Sequence, residues 1–230
     1  MLYIGNNKII KGYIGNTPVC YIGMGANELI KIGDDTPLEN IVAIYTVSGT
    51  SAVSPYSVTN KASDWLETCK DNGDGTSTMT ITASTPPTAI RFQNIASLLS
   101  VEYLDISELT TMQNLFSNCT LLTTVNTTDW DINKVTNMSN TFSGCDSLTM
   151  LDLSNWDMSH ITNTSGMLSN CTSLHTLRLD NCNGNTINGI ITSYLFPTKT
   201  IQGVTRKIYC KQANARGLTP PTNWKFEYIE

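Results

Sequence analysis

The stretch DSLTMLDLSNWDMSHITNTSGMLSNC, residues 146–171, decides how this chain is read. Its last residue, Cys171, lies 26 residues after Cys145, which lies 26 after Cys119. The same step joins Leu122 to Leu148 and Leu174, Phe116 to Phe142 and Leu168, and Val125 to Leu151 and Leu177. Trp130 with Trp156, Met112 with Met138 and Val135 with Ile161 keep the register. A unit this short cannot bury its apolar side alone, so neighbouring copies must stack and merge their columns into one core. Within a unit, Leu151 and Leu153 alternate with Asp152, the period of a strand with one buried face. Met138, Phe142 and Cys145 fall at i, i+4 and i+7, the spacing of one helix face, with Thr136 placed to cap its start. Each unit is therefore expected to be a strand followed by a short helix.

Working outward, this predicts an α/β repeat: a short leucine-rich-repeat solenoid over residues 96–199 with a β-rich N-terminal region. An earlier copy, from Leu104 to Cys119, is shorter than the later ones, as terminal repeats often are. After Leu179 the pattern decays, and residues 200–230, with Val204–Cys210, Pro220, Pro221 and Trp224–Ile229, read as a closing cap. Upstream, residues 36–95 read as a β-rich lead-in, in which Asp71–Thr76 precedes the alternating Ser77–Ala83 as a hairpin turn precedes its strand. In residues 1–35 the sequence Tyr-Ile-Gly-Asn starts at Tyr3 and again at Tyr13, and Tyr21-Ile-Gly echoes it. Small strands with Gly turns fit, and so many apolar residues in so short a segment suggest that another chain covers them.

Composition narrows the function classes. Charged residues make up 14% of the chain, well below the roughly one quarter usual for soluble domains. Thr, Ser and Asn fill the gap, which favours turns and strands because their side chains compete for helical backbone hydrogen bonds. A net charge of −5 without a basic stripe argues against nucleic acid as a partner. The first residues lack the pattern of a secretory signal, and no apolar run reaches the roughly 18 residues of a membrane helix, so no membrane insertion is expected.

No residue set points to a reaction or to a cofactor. Seven cysteines at wide spacing do not make a disulfide framework, and Cys119, Cys145 and Cys171 are expected to be buried and reduced. Asp71-Asn-Gly-Asp-Gly resembles a calcium loop until the register is set, when Lys70 and Ile81 take positions that need carboxylates. His160 and His175 occupy unlike places in the repeat and read as solvent-facing, so neither a metal site nor a Cys/His nucleophile has a basis. Asp131 and Asp157 share one repeat position after a tryptophan and fit turn stabilisation better than acid/base work. The candidate ligand-binding surface is the outward side of the strands, the concave face: Tyr103, Asp105, Asn126, Thr128, Met150, Asp152, Ser154, Arg178 and Asp180.

Residues 151–159 (LDLSNWDMS) and 137–145 (NMSNTFSGC) resemble BspA-type leucine-rich repeats, a likeness that extends over roughly residues 98–230. That resemblance implies a surface protein that mediates attachment, with no enzymatic activity. The opening Tyr-Ile-Gly-Asn repeats are similar to segments at the start of structural proteins of tailed, crAss-like phages. Together these imply a virion surface fibre or decoration protein, assembled in the host cytoplasm. Its partners would be other virion proteins through residues 1–35 and a host-surface glycan or protein through the repeats, and it would be a homo-oligomer, preferentially a trimer. The alternative is a bacterial BspA-like adhesin on the cell surface. A polysaccharide-cleaving spike enzyme is the third class, and it lacks the carboxylate pair that it would need.

Overall fold

The structure, a computed structural model, describes residues 2–4, 7–14, 17–24, 28–32, 41–49, 53–55, 57–59 and 61–229. The Gly-punctuated start forms four strands, β1 (Leu2–Ile4), β2 (Asn7–Ile14), β3 (Thr17–Met24) and β4 (Glu28–Ile32), paired antiparallel in that order. Which of their side chains another chain covers lies outside the described residues.

The next segment supplies β5 (Ile41–Ser48), β6 (Ser57–Thr59), β7 (Leu66–Asp71), β8 (Thr76–Thr82), β9 (Ala89–Arg91) and β10 (Leu98–Leu104). β7 and β8 form the expected hairpin. Its turn is held by Asp71 Oδ1, which accepts from the Gly73 N–H at 2.8 Å, and by Asp74 Oδ1, which accepts from the Thr76 N–H at 2.9 Å. Those carboxylates are spent on their own backbone, as Asx turns require. The short strand β11 (Thr124–Val125) pairs in parallel with β10, so the five-stranded sheet β11-β10-β5-β8-β7 runs from the lead-in into the first repeat.

The expected α/β repeat is not what the chain builds. Among the described residues there is one α-helix, α1 (Gly184–Ile191), and it follows the repeats. Residues 138–145, read from their spacing as a helix face, are a run of turns. Two residues per unit sit in the left-handed region: Asn114, Asn140 and Gly166 in one column, and Asn118, Gly144 and Asn170 in the other, with φ between 54° and 73°. A right-handed helix cannot pass through such residues, whereas Asn and Gly adopt them at little cost. The freed amides divide their bonds. Thr141, Ser143 and Cys145 donate to the carbonyl three residues back, while Met138, Asn140, Phe142 and Gly144 donate to Asn163, Ser165, Met167 and Ser169 of the next unit at 2.8–3.0 Å. Thr136, expected to cap a helix, instead donates its N–H to Thr110 of the preceding unit. The backbone joins coil to coil on this side.

The side chains follow the same stacking. Phe92, Phe116 and Phe142 are fully buried and stacked, with ring centroids 5.5 Å apart at each step. Trp130 and Trp156 stack at 5.6 Å. Such pairs add about 0.5–1.5 kcal/mol each beyond the area they bury. Cys119, Cys145 and Cys171 are buried and unpaired, as expected, but they sit on turns rather than on a helix. Each thiol donates to a phenylalanine carbonyl of the preceding coil: Cys119 to Phe92, Cys145 to Phe116 and Cys171 to Phe142, at 3.0–3.2 Å.

On the other side of the coils, β12 (Met150–Asp152), β13 (Thr176–Arg178), β14 (Arg206–Lys211) and β15 (Trp224–Ile229) make a four-stranded parallel sheet. Although the sequence columns fade after Leu179, the stack continues. α1 covers the preceding coil, Thr186 donating its hydroxyl to the Met158 carbonyl, and the Asn170 N–H donates to Leu195 as the earlier columns do. One hydrophobic core runs from Val42 to Trp224.

Candidate functional site

On the strand side three successive units present Asp or Asn two residues before a small hydroxyl residue, and the fourth has Arg178 and Asp180 there. Asp105 Oδ1 accepts from the Ser107 N–H at 2.9 Å, Asn126 Oδ1 from Thr128 at 3.2 Å and Asp152 Oδ1 from Ser154 at 2.9 Å. These Asx turns end each strand and fix the side chains of the candidate face. Asp131 and Asp157 do the same for Asn133 and Ser159, in agreement with a turn-stabilising role. His160 bonds the Ile132 carbonyl at 2.9 Å and His175 the Thr176 hydroxyl at 3.0 Å; both rings are half-buried rather than open to solvent.

β11 and β12 belong to different sheets and share no ladder, although their residues occupy equivalent columns. Side chains take the place of ladder bonds here. The Thr127 hydroxyl donates to the Asp152 carbonyl at 2.5 Å, and the Trp156 indole N–H donates to the Thr127 carbonyl at 3.4 Å. A cleft of about 230 Å³ opens at this step, lined by residues 125–128, Met150, Asp152 and residues 154–156. Five of the nine residues expected on the concave face meet in it: Asn126, Thr128, Met150, Asp152 and Ser154. Met150 stands 54% exposed at its lip, an unusual position for a large apolar side chain.

The other four lie outside the cleft. Tyr103 is half-buried, and burial, with Asp105 and Asp129 adding to it, pushes its phenol up to about 12. Asp105 is half-buried in its turn with Ser107. Arg178 and Asp180 form an ion pair beside the cleft, and Asp180 is only 8% exposed, so it belongs to the support and not to the open face. The Arg178 guanidinium lies 5.5 Å from the Tyr209 ring centre, and its Nε is 3.7 Å from Asp152 Oδ2, close enough for charge attraction and too far for a hydrogen bond. The bond to Asp180 holds Arg178 above its usual pKa. Asp152 is thus the one carboxylate that both lines the cleft and is steered by a cation.

The sequence expectation omits Val125, Thr127, Asn155 and Trp156 as lining residues and Tyr209 as the platform under Arg178. Trp156 is 1% exposed and packs as its column predicts, yet it also lines the cleft. The Tyr209 position was signalled by the alternation of Arg206, Ile208 and Cys210, which turns residues 207 and 209 to the outer face.

Among the described residues, no group of three or more His, Cys, Asp or Glu is arranged to hold a metal ion. No helix there is long and apolar enough to cross a membrane. Residues 89–196 match the family described as "Mycoplasma protein of unknown function, DUF285". That match spans the repeats and fits a BspA-like surface repeat protein. Neither the curated proteins nor the solved structures gave a match to this chain.

Proposed function

We propose that this chain is a non-enzymatic recognition protein that displays the cleft between β11 and β12 to a polar ligand at a cell surface. The observation that carries the reading is the interrupted ladder. At one step of an otherwise joined stack, backbone and side chains leave a polar cleft on rigid elements, with amide, hydroxyl, carboxylate and thioether groups around it. The cysteines and tryptophans of the repeat serve packing, and the paired aspartates serve turns. A glycan or a polar protein surface suits such a lining.

For the setting of that activity we favour a fibre or decoration protein on a tailed-phage virion, with residues 1–35 docking to other virion proteins and the coils facing the host. The Tyr-Ile-Gly-Asn repeats support this; of them, Tyr3 and Ile4 lie in β1 and Tyr13 and Ile14 in β2. The family match of the repeats favours the second reading, a bacterial BspA-like adhesin. A labelled full chain should bind whole cells and isolated surface polysaccharide saturably, and Asp152→Ala should weaken binding at least tenfold with the fold intact. Equal binding by that variant would remove the cleft from the account, and release of reducing ends from the polysaccharide would overturn the non-enzymatic reading. Antibody against the chain should decorate purified particles if the virion assignment holds, and bacterial envelopes if the adhesin assignment does. Light scattering should give a trimer for the full chain and a monomer for a chain starting at Thr36.

A further inference from the structure

A second cleft, of about 250 Å³, lies at the far end of the stack between the segment around Thr200–Thr205 and the start of β15. Among the described residues its lining includes Arg206 and Lys225 and no acidic residue, in a chain whose net charge is −5. Arg206 is 1% exposed. Its terminal nitrogens donate to the backbone carbonyls of Thr172, Leu174 and Lys199, and its guanidinium lies 5.3 Å from the Trp224 ring centre. Among the described residues no carboxylate pairs with it, and its Nε is buried there without a hydrogen-bond partner. Carbonyl dipoles and a ring face only partly replace the water a guanidinium gives up, so an uncompensated cation is costly here. Burial accordingly pulls Arg206 below its usual pKa. Glu227, on β15, is engaged by Lys207 at 3.2 Å.

We infer that this cleft binds an oxyanion group, a carboxylate or a sulfate or phosphate ester, borne by a ligand. The exposed Lys225 ammonium, with the hydroxyls of Thr200 and Thr205, makes the direct contacts, and Arg206 behind them supplies a fixed positive field that water screens poorly. Asn223 holds the rim, its amide donating to Thr198 and Thr200 at 2.7 and 3.1 Å. The site is independent of the cleft between β11 and β12 and stands or falls without it.

The test is a ¹H–¹⁵N titration of the full chain with sodium sulfate and, separately, sodium glucuronate, against sodium chloride at matched ionic strength. The Arg206 Nε–H and Asn223 side-chain resonances should shift saturably with a midpoint on the order of 1 mM. Lys225→Glu should weaken that response at least tenfold, and Lys225→Ala should weaken it less. Saturation by sulfate alone assigns the site to tetrahedral ester groups, and saturation by glucuronate alone assigns it to sugar acids. Shifts that are linear and equal in chloride, or saturation unchanged in Lys225→Glu, would overturn the inference.

Discussion

The two sides of the same coils obey the same 26-residue period yet are joined differently. On the turn side, every step from Phe92 to Asn170 is bridged by backbone amides at residues such as Asn94, Phe116 and Phe142, and the rings and thiols beneath are all buried. On the strand side, β10 pairs with β11 and β12 with β13, but the step between β11 and β12 is carried by Thr127 and Trp156 side chains. A repeat in sequence therefore guarantees stacked columns and does not guarantee a continuous sheet. Where the ladder lapses, the scaffold is still held by the opposite side, and a cleft costs the fold little.

The comparison predicts a large penalty for disturbing the turn side. Phe142→Ala removes a fully buried ring stacked on Phe116 and should cost about 3–5 kcal/mol in denaturant unfolding. A loss below about 1 kcal/mol would mean that the column does not bear the coils together.

A smaller effect should separate glycines by their surroundings. Gly144 has φ 73°, and a Cβ there would lie 2.5 Å from Asn118 Oδ1, whereas Gly203, at φ 75°, faces open space. Both alanine substitutions incur the roughly 1–3 kcal/mol of a left-handed residue, but Gly144→Ala must also displace the Asn118 side chain. Its loss of stability, measured by the same unfolding experiment, should exceed that of Gly203→Ala. Equal losses would show that the turn columns are looser than the stacking implies.

The column thiols give a pH test. Burial pushes Cys119 and Cys171 up to about 12 and Cys145 well above its usual value. A raised folded pKa favours the neutral thiol, so this contribution is complete below the ordinary thiol pKa of roughly 8.5 and is lost as pH rises from there towards 12. Stability under reducing conditions should fall over that window, and the fall should shrink in Cys145→Ala. In the native state Cys69, which is exposed, should react with a thiol reagent before any of the three. A column cysteine that reacts first would contradict their burial.

How much of this was legible in the sequence follows from what a period can encode. Columns of Leu, Phe, Cys and Trp mark which residues are buried and which stack, because burial largely follows position in the repeat, with Val125 and Ile161 half-buried where their column mates are buried. Secondary structure within the unit was misread. The spacing of Met138, Phe142 and Cys145 suits a helix face, and the opposing signal, Asn114, Asn140 and Gly166 sharing one column and Asn118, Gly144 and Asn170 another, lies in residues that tolerate a left-handed backbone. The cleft was half legible. Its polar lining alternates with Leu151 and Leu153, whereas the missing ladder depends on Thr127 and Trp156 competing for backbone acceptors, which no period records. Arg206 was legible only as an inward position of its strand; that its charge lacks a partner is a property of the packed end.

Amide hydrogen exchange on the full chain compares the two sides most directly. The N–H groups of Asn140, Phe142 and Gly144, which donate to the next coil, should exchange near the global unfolding limit. Those of Thr128 and Ser154, bonded only to the side chains of Asn126 and Asp152 at the cleft, should exchange at least about a hundredfold faster, since they open locally. Equal protection on both sides would contradict the account, because the strand side would then be joined as tightly as the turn side and the cleft would not be a lapse in the ladder.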